Sequence, residues 1–135
     1  MIKQLTIGAT YSNAEVAEAF GVSTQGGMRK SNANNCLVLI SKESANLYPD
    51  KWDGEVLNYS GMGQQGDQRL DYSQNRALAQ SRDTDLTVYL MINKEPNRYV
   101  NYGEVELVQD PYMMFDGHRN VAIFPIQPLV KKAKD

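Results

Sequence analysis

Cys36-Leu37-Val38-Leu39-Ile40 is a near-continuous apolar run with no helical spacing in it. Such a run is satisfied only when both of its faces are covered, which predicts a buried strand. Around it the apolar residues alternate. Leu86, Val88, Leu90 and Ile92 share one face of residues 86–92, and residues 98–108 alternate again. Residues 2–7 read as a weak entering strand. Residues 55–59 read as a strand that delivers Tyr59 to a glycine-rich stretch. Residues 121–124 read as a last strand, broken by Pro125 and Pro128. Helical spacing is confined to two short stretches. In residues 14–20, Val16, Ala19 and Phe20 fall at i, i+3, i+4, with Ser12 or Asn13 as the N-cap and Gly21 just past the end. Residues 73–81 follow the same logic, with Asp71 or Ser73 as the cap. Residues 23–35, polar and glycine-containing, read as a loop, and residues 48–54 as a turn cluster. About six strands, two short helices and no linker predict an α+β class: one domain over residues 1–135, a curved β-sheet or partial barrel flanked by short helices.

The chain has 135 residues, 41% of them hydrophobic and 22% charged. No apolar run approaches the roughly 20 residues that span a bilayer, so no membrane is expected. The first residues do not resemble a secretory signal, and Cys36 is the lone cysteine. A cytoplasmic, reduced setting is expected. The net charge of −2, from 14 Lys+Arg against 16 Asp+Glu, argues against coating nucleic acid by charge alone. A small site with local cations stays open, and Arg29, Lys30, Arg69, Arg76, Arg82 and the tail Lys131-Lys132-Ala133-Lys134 are its candidates. One histidine and one cysteine do not furnish a common zinc site. His118 has no Ser-His-Asp context. Gly61, Gly63 and Gly66 match a G-x-G-x-x-G spacing, but no βαβ pattern surrounds them and no P-loop lysine follows. Asp50, Asp53, Asp67 and Asp71 show no ligand spacing. Neither metal, cofactor nor catalytic residue is expected.

Binding has more support. Tyr48, Trp52 and Tyr59 are interleaved with Asp50 and Asp53. Flat aromatics stack on planar ligands, and a carboxylate accepts hydrogen bonds from an exocyclic amine. These are the parts of a nucleobase pocket, suited to cytosine. The same aromatics could instead fill the core, with the acids holding turns.

Tyr59-Ser60-Gly61-Met62-Gly63, then Gly66-Asp67-Gln68-Arg69-Leu70, then Asn75-Arg76-Ala77-Leu78-Ala79 resembles the centre of the SRA (SET and RING-associated, or YDG) domain. There a Tyr-Thr-Gly-x-Gly loop leads to Asp-Gln-x-Leu and Asn-x-Ala-Leu. Gly26-Gly27-Met28-Arg29-Lys30-Ser31 before Cys36-Leu37-Val38-Leu39 resembles the family's glycine-containing loop and apolar strand. Asn97-Arg98-Tyr99-Val100-Asn101-Tyr102-Gly103-Glu104-Val105 resembles its Asn-Arg-Tyr-Asp-Gly-x-Tyr segment. The likeness covers roughly residues 20–125, and is to the prokaryotic type of the domain found in modification-dependent restriction endonucleases.

The resemblance implies a PUA-like fold that binds double-stranded DNA, flips out a modified cytosine (5-methyl or 5-hydroxymethyl) and holds it in an aromatic cage. By the family's pattern Tyr48 and Tyr59 form the sandwich. Asp50 reads the cytosine edge, with Asp53 in reserve, and Trp52 lines or buttresses the cage. Ser60, Gly61 and Gly63 belong to the loop that meets the base or its phosphate. Arg29, Lys30 and Arg76 are the phosphate candidates. The stretch between Gly63 and Asp67 is far shorter than the eukaryotic finger, so little sequence context is read through it. The family's Tyr-Asp-Gly is altered to Tyr99-Val100-Asn101-Tyr102-Gly103. Short prokaryotic relatives are recognition halves of restriction enzymes, so an HNH-type nuclease is the expected fused or separate partner. The alternatives are a PUA-like module for RNA or a nucleotide, and a protein-interaction domain.

Overall fold

The computed structural model describes residues 5–42, 51–61 and 66–129. In chain order the elements are β1 (Thr10–Tyr11), α1 (Asn13–Phe20), β2 (Met28–Ser31), β3 (Cys36–Lys42), β4 (Lys51–Asp53), β5 (Val56–Ser60), α2 (Ser73–Ala79), a 3-10 turn (Ser81–Asp83), β6 (Thr87–Glu95), β7 (Arg98–Leu107), β8 (Tyr112–Phe115) and β9 (Asn120–Pro128). The strands form one curved, unclosed mixed sheet with the path β2-β3-β6-β7-β9-β5-β4, to which β1 adds on β7 and β8 on β9. This is the curved α+β sheet that the apolar pattern predicts. No helix of the described residues is long and apolar enough to cross a membrane.

β3 shows why its sequence is apolar throughout. Leu37 and Leu39 point into the main core with Leu57, Tyr59, Leu90, Phe124 and Ile126. Cys36, Val38 and Ile40 point the other way, into a second cluster with Val16, Ala19 and Phe20 of α1. A parallel pairing with β6 holds it in the middle. α1 starts as its sequence predicts. Ser12 Oγ accepts the Glu15 amide at 3.1 Å while Ser12 N donates to Glu15 Oε1 at 2.8 Å, a reciprocal capping box. Gly21 ends it at φ 69°, a left-handed position that glycine takes without steric cost.

Several expectations are corrected. Residues 23–35 are not all loop, because Met28–Ser31 forms β2, a hairpin partner of β3. Lys51–Asp53, read as turn, is β4, paired with β5. Residues 5–7 carry no strand; the entering strand is β1 at Thr10–Tyr11, and residues 2–4 lie outside the described residues. α2 begins at Ser73, and its N-cap residue Tyr72 makes no side-chain cap; Asp71 instead pairs with Arg69 at 2.8 Å. β9 runs straight through Pro125. Pro125 O accepts Val108 N at 2.9 Å, so the N–H that proline lacks would point the same way. On that edge β8 pairs up to Ile123 and β7 pairs from Ile126. Proline therefore sits where one partner strand hands over to the next, and no ladder bond is lost.

Candidate functional site

The glycine-rich stretch leaves the sheet at Gly61 and returns at Asp67, and the motif residues fasten its two ends together. Gly61 N donates to Ala122 O and Gln68 N to Asn120 O, each at 2.8 Å. The Gln68 side chain, 3% exposed, bridges the gap. Its Nε2 donates to Gly61 O and its Oε1 accepts from Ala122 N, both at 2.8 Å. Asp67 completes the clamp through Oδ1, which accepts the Asn120 amide at 2.7 Å, and Arg119 Nη1 donates to Gly66 O at 3.0 Å. Behind the loop, fully buried Asn75 of α2 donates Nδ2 to Arg69 O at 3.0 Å. A Cβ on Gly61 would lie 2.6 Å from Asn75 Oδ1 and 2.9 Å from Phe124 Cε1. Glycine is therefore required there by close approach rather than by turn geometry. The two ends of the loop are thereby held against β9, with Ser60 buried just before it.

Tyr59 lies at the end of β5, 2% exposed and packed in the main core. Its hydroxyl stands 2.9 Å from Gly27 O and 3.1 Å from Ile40 O, so its single proton is shared between two neighbouring carbonyls of the β2–β3 hairpin. β5 and β3 are far apart along the sheet path. Tyr59 therefore draws the two ends toward each other. Trp52, 42% exposed on β4, lies with its ring 5.8 Å from that of Tyr102 and tilted by 31°. Tyr102 reaches this position through a bulge. The β6–β7 register shifts between Leu90 and Met91, whose partners are Gly103 and Asn101. Gly103 adopts φ +79°, and Asn101 Oδ1 accepts the Gly103 amide at 2.9 Å. Bulges re-aim side chains in this way. The altered Tyr99-Val100-Asn101-Tyr102-Gly103 segment thus carries its own hydrogen-bonded support.

Tyr48, Asp50 and Gly63 lie outside the described residues. Asp53 is exposed at the end of β4. Lys30 is exposed, with Nζ 2.6 Å from Asn32 Oδ1, and Arg76 is exposed on α2, next in sequence to Asn75. Arg29 does not share that disposition. It is 5% exposed, with Nε donating to Gly26 O at 2.8 Å and Nη1 to Asn13 Oδ1 at 2.6 Å. Its Cζ stands 5.9 Å from the Tyr99 ring centroid. Tyr102, Asp67, Gln68 and Asn75 were not singled out for roles from sequence. The motif spelled out the last three, while Tyr102 is re-aimed by a bulge that alternation cannot reveal. Among the described residues no cluster of His, Cys, Asp and Glu is placed to hold a metal ion. A cleft of about 340 Å³ lies elsewhere, lined by Tyr11, Glu15, Asn97 and Arg98 among others.

The curved mixed sheet with its two short helices matches the SRA class of domain. The sequence profile of the ScoMcrA-like SRA domain matches residues 7–125, and the chain belongs to that family. The match starts well before residue 20, so α1 is part of the family's domain. No curated protein sequence is similar enough to match. Solved structures of this fold include the SUVH5 SRA domain in complex with hemi-methylated CG DNA, at 18% identity and TM-score 0.77, covering 100% of this chain and 96% of that one. KRYPTONITE in complex with mCHG DNA and SAH is similar at 14% identity and TM-score 0.76, covering 100% of this chain and 35% of that one. The sulfur binding and SRA domains of ScoMcrA complexed with phosphorothioated DNA are similar at 16% identity and TM-score 0.72, covering 95% and 41%. At these identities the likeness is one of fold. The chain spans well under half of the KRYPTONITE and ScoMcrA chains.

Proposed function

We propose that this chain is a reader of modified cytosine in double-stranded DNA and that it serves as the recognition module of a modification-dependent restriction system in the cytoplasm. The observation that carries this reading is the family match over residues 7–125. The fastened ends of the glycine loop and the ring contact between exposed Trp52 and partly buried Tyr102 support it. Extruding a base costs a few kcal/mol, and a preformed platform offsets that cost by stacking. In this reading the base enters where β5 runs into the loop. Tyr48, Asp50, Trp52, Tyr59, Ser60 and Gly61 form the pocket, and Lys30, Gly63 and Arg76 meet the backbone. Tyr59, being buried, is a wall of that pocket rather than a lid. A nuclease of HNH type, fused or separate, would cut the DNA.

The test is a panel of otherwise identical duplexes titrated at one stated salt concentration. They carry plain cytosine, 5-methylcytosine, 5-hydroxymethylcytosine or a phosphorothioate linkage. A preference for a modified cytosine over the plain duplex is expected. Flipping is read separately, as a rise in fluorescence from 2-aminopurine placed opposite the modified base. Equal binding to all four duplexes, or tighter binding to single-stranded RNA, would overturn the reading.

A further inference from the structure

We infer that Arg29 is a positioning residue for the base site, and that it acts through the hydroxyl of Tyr59 rather than through a DNA phosphate. The inference rests on the reader function proposed above. A continuous set of hydrogen bonds carries it. Asn13 N donates to Asn97 Oδ1 at 2.9 Å, which fixes the start of α1 against the β6–β7 turn. Asn13 Oδ1 accepts Arg29 Nη1 at 2.6 Å, and Arg29 Nε donates to Gly26 O at 2.8 Å. The next carbonyl, Gly27 O, accepts both Ile40 N at 2.7 Å and the Tyr59 hydroxyl at 2.9 Å.

The backbone makes this arrangement dependent on the guanidinium. Gly26 adopts φ +89°, in the left-handed region, and a Cβ there would meet nothing within 4 Å. The Arg29 fork ties the Gly26 carbonyl to α1, so the following carbonyl is aimed at Tyr59. A planar fork with several donors in fixed geometry can serve two acceptors at once, which an ammonium on a flexible stem cannot do with the same precision. Arg29 is also enclosed, at 5% exposure, with Tyr99 against its guanidinium. Turning outward to a phosphate would break both hydrogen bonds and leave the Asn13 and Gly26 acceptors without their donor. What Arg29 supplies to the site is therefore the placement of the Tyr59 ring. Ring placement matters for a base that stacks on it, and does not matter for backbone contacts that ignore modification.

The experiment measures affinity for modified and plain duplexes over a range of salt, for the wild-type chain and for Arg29→Lys, Arg29→Gln, Tyr59→Phe and the double variant Arg29→Lys/Tyr59→Phe. Folding is checked by circular dichroism. Both Arg29 variants are expected to lower the ratio of modified to plain affinity by about tenfold, with the wild-type salt slope retained. Tyr59→Phe should lower the ratio too, and adding Arg29→Lys to it should lower the ratio no further. Should Arg29→Lys not fold, Asn13→Ala, which removes one acceptor and leaves the guanidinium, is expected to give the same fall in ratio. The inference is overturned if Arg29→Gln reduces the salt slope by about 1 while the ratio is kept, as a phosphate contact would. It is equally overturned if the Arg29 and Tyr59 effects simply add. A wild-type chain that shows no preference for modified duplex overturns the reader function itself, an outcome distinct from either of these.

Discussion

Gly61 and Tyr59 occupy neighbouring positions in one motif, yet the reasons for each residue differ. Gly61 is set by space. A methyl group there would press on Asn75 Oδ1 and Phe124, neither of which can retreat, since Asn75 and Phe124 are both fully buried. Gly61→Ala should therefore destabilise the domain by about 1–3 kcal/mol, the usual cost of overpacking, read as a lower urea midpoint with an unchanged slope. Tyr59 is set by both its ring and its hydroxyl. Tyr59→Ala would empty part of the core and cost about 3–5 kcal/mol in the manner of other large aromatic truncations, so it cannot isolate a role in binding; Tyr59→Phe can. Cys36 is a third case. Burial pushes its thiol pKa up, only partly opposed by the Ser31 backbone and the Lys30 charge. A thiol raised in this way is less ionised at neutral pH than a free one. Ellman's reagent should react slowly with the native chain and at an ordinary rate once urea unfolds it. Fast reaction in the native state would show that the β3–α1 layer opens readily.

At the scale of elements, the glycine loop is held by side chains doing the work of a strand. Gln68 fills the place where β5 would have continued along β9, giving Gly61 O a donor and Ala122 N an acceptor. Gln68→Leu keeps bulk and removes both bonds. The expected loss is about 1–3 kcal/mol for each buried group left unsatisfied, together with weaker binding to modified DNA as the loop ends part. Unchanged stability would mean that the loop is not closed by this residue. Such elements also show what a sequence reveals. β3, β6 and β7 were legible because burial on one or two faces writes itself into Leu37, Leu90 or Val105 and their neighbours. α1 was legible because Ser12, Glu15 and Gly21 act locally. β2, β4 and β8 were not, since each is short and owes its pairing to a neighbouring strand. Tyr112, Met113, Met114 and Phe115 are all exposed, so β8 has no buried face to betray it. Pro125 misled because its effect depends on which strand lies on one side of it. The motif marked where the chain leaves β5 at Ser60, but Arg29 in a polar segment reads as a free cation. Only the fold brings Asn13 and Gly26 to its guanidinium.

For the molecule as a whole, a net charge of −2 means that DNA is not attracted to the surface at large. Attraction must come from a few cations placed where they outweigh the acids around them. Many of the exposed arginines are already engaged: Arg69 with Asp71, Arg82 with Asp110 and Arg98 with Glu95. Arg29 is buried. Arg76 differs, being exposed on the helix whose Asn75 backs the loop, with no side-chain partner among the described residues. Each phosphate neutralised on duplex DNA contributes a slope of about −0.9 to the dependence of log affinity on log salt, so a site of few cations should show a shallow slope. Arg76→Ala should reduce its magnitude by about 1 and weaken plain and modified duplexes by the same factor. The measurement is a titration of both duplexes at several salt concentrations. A loss confined to the modified duplex would place Arg76 against the base, and α2 would then be a wall of the pocket rather than a guide for the backbone. The separation matters because an acidic domain with few free cations has little non-specific affinity to draw on. On the proposed reading, a preference for one modified base must then come from the pocket proposed around Tyr59, which joins β5 to the β2–β3 hairpin.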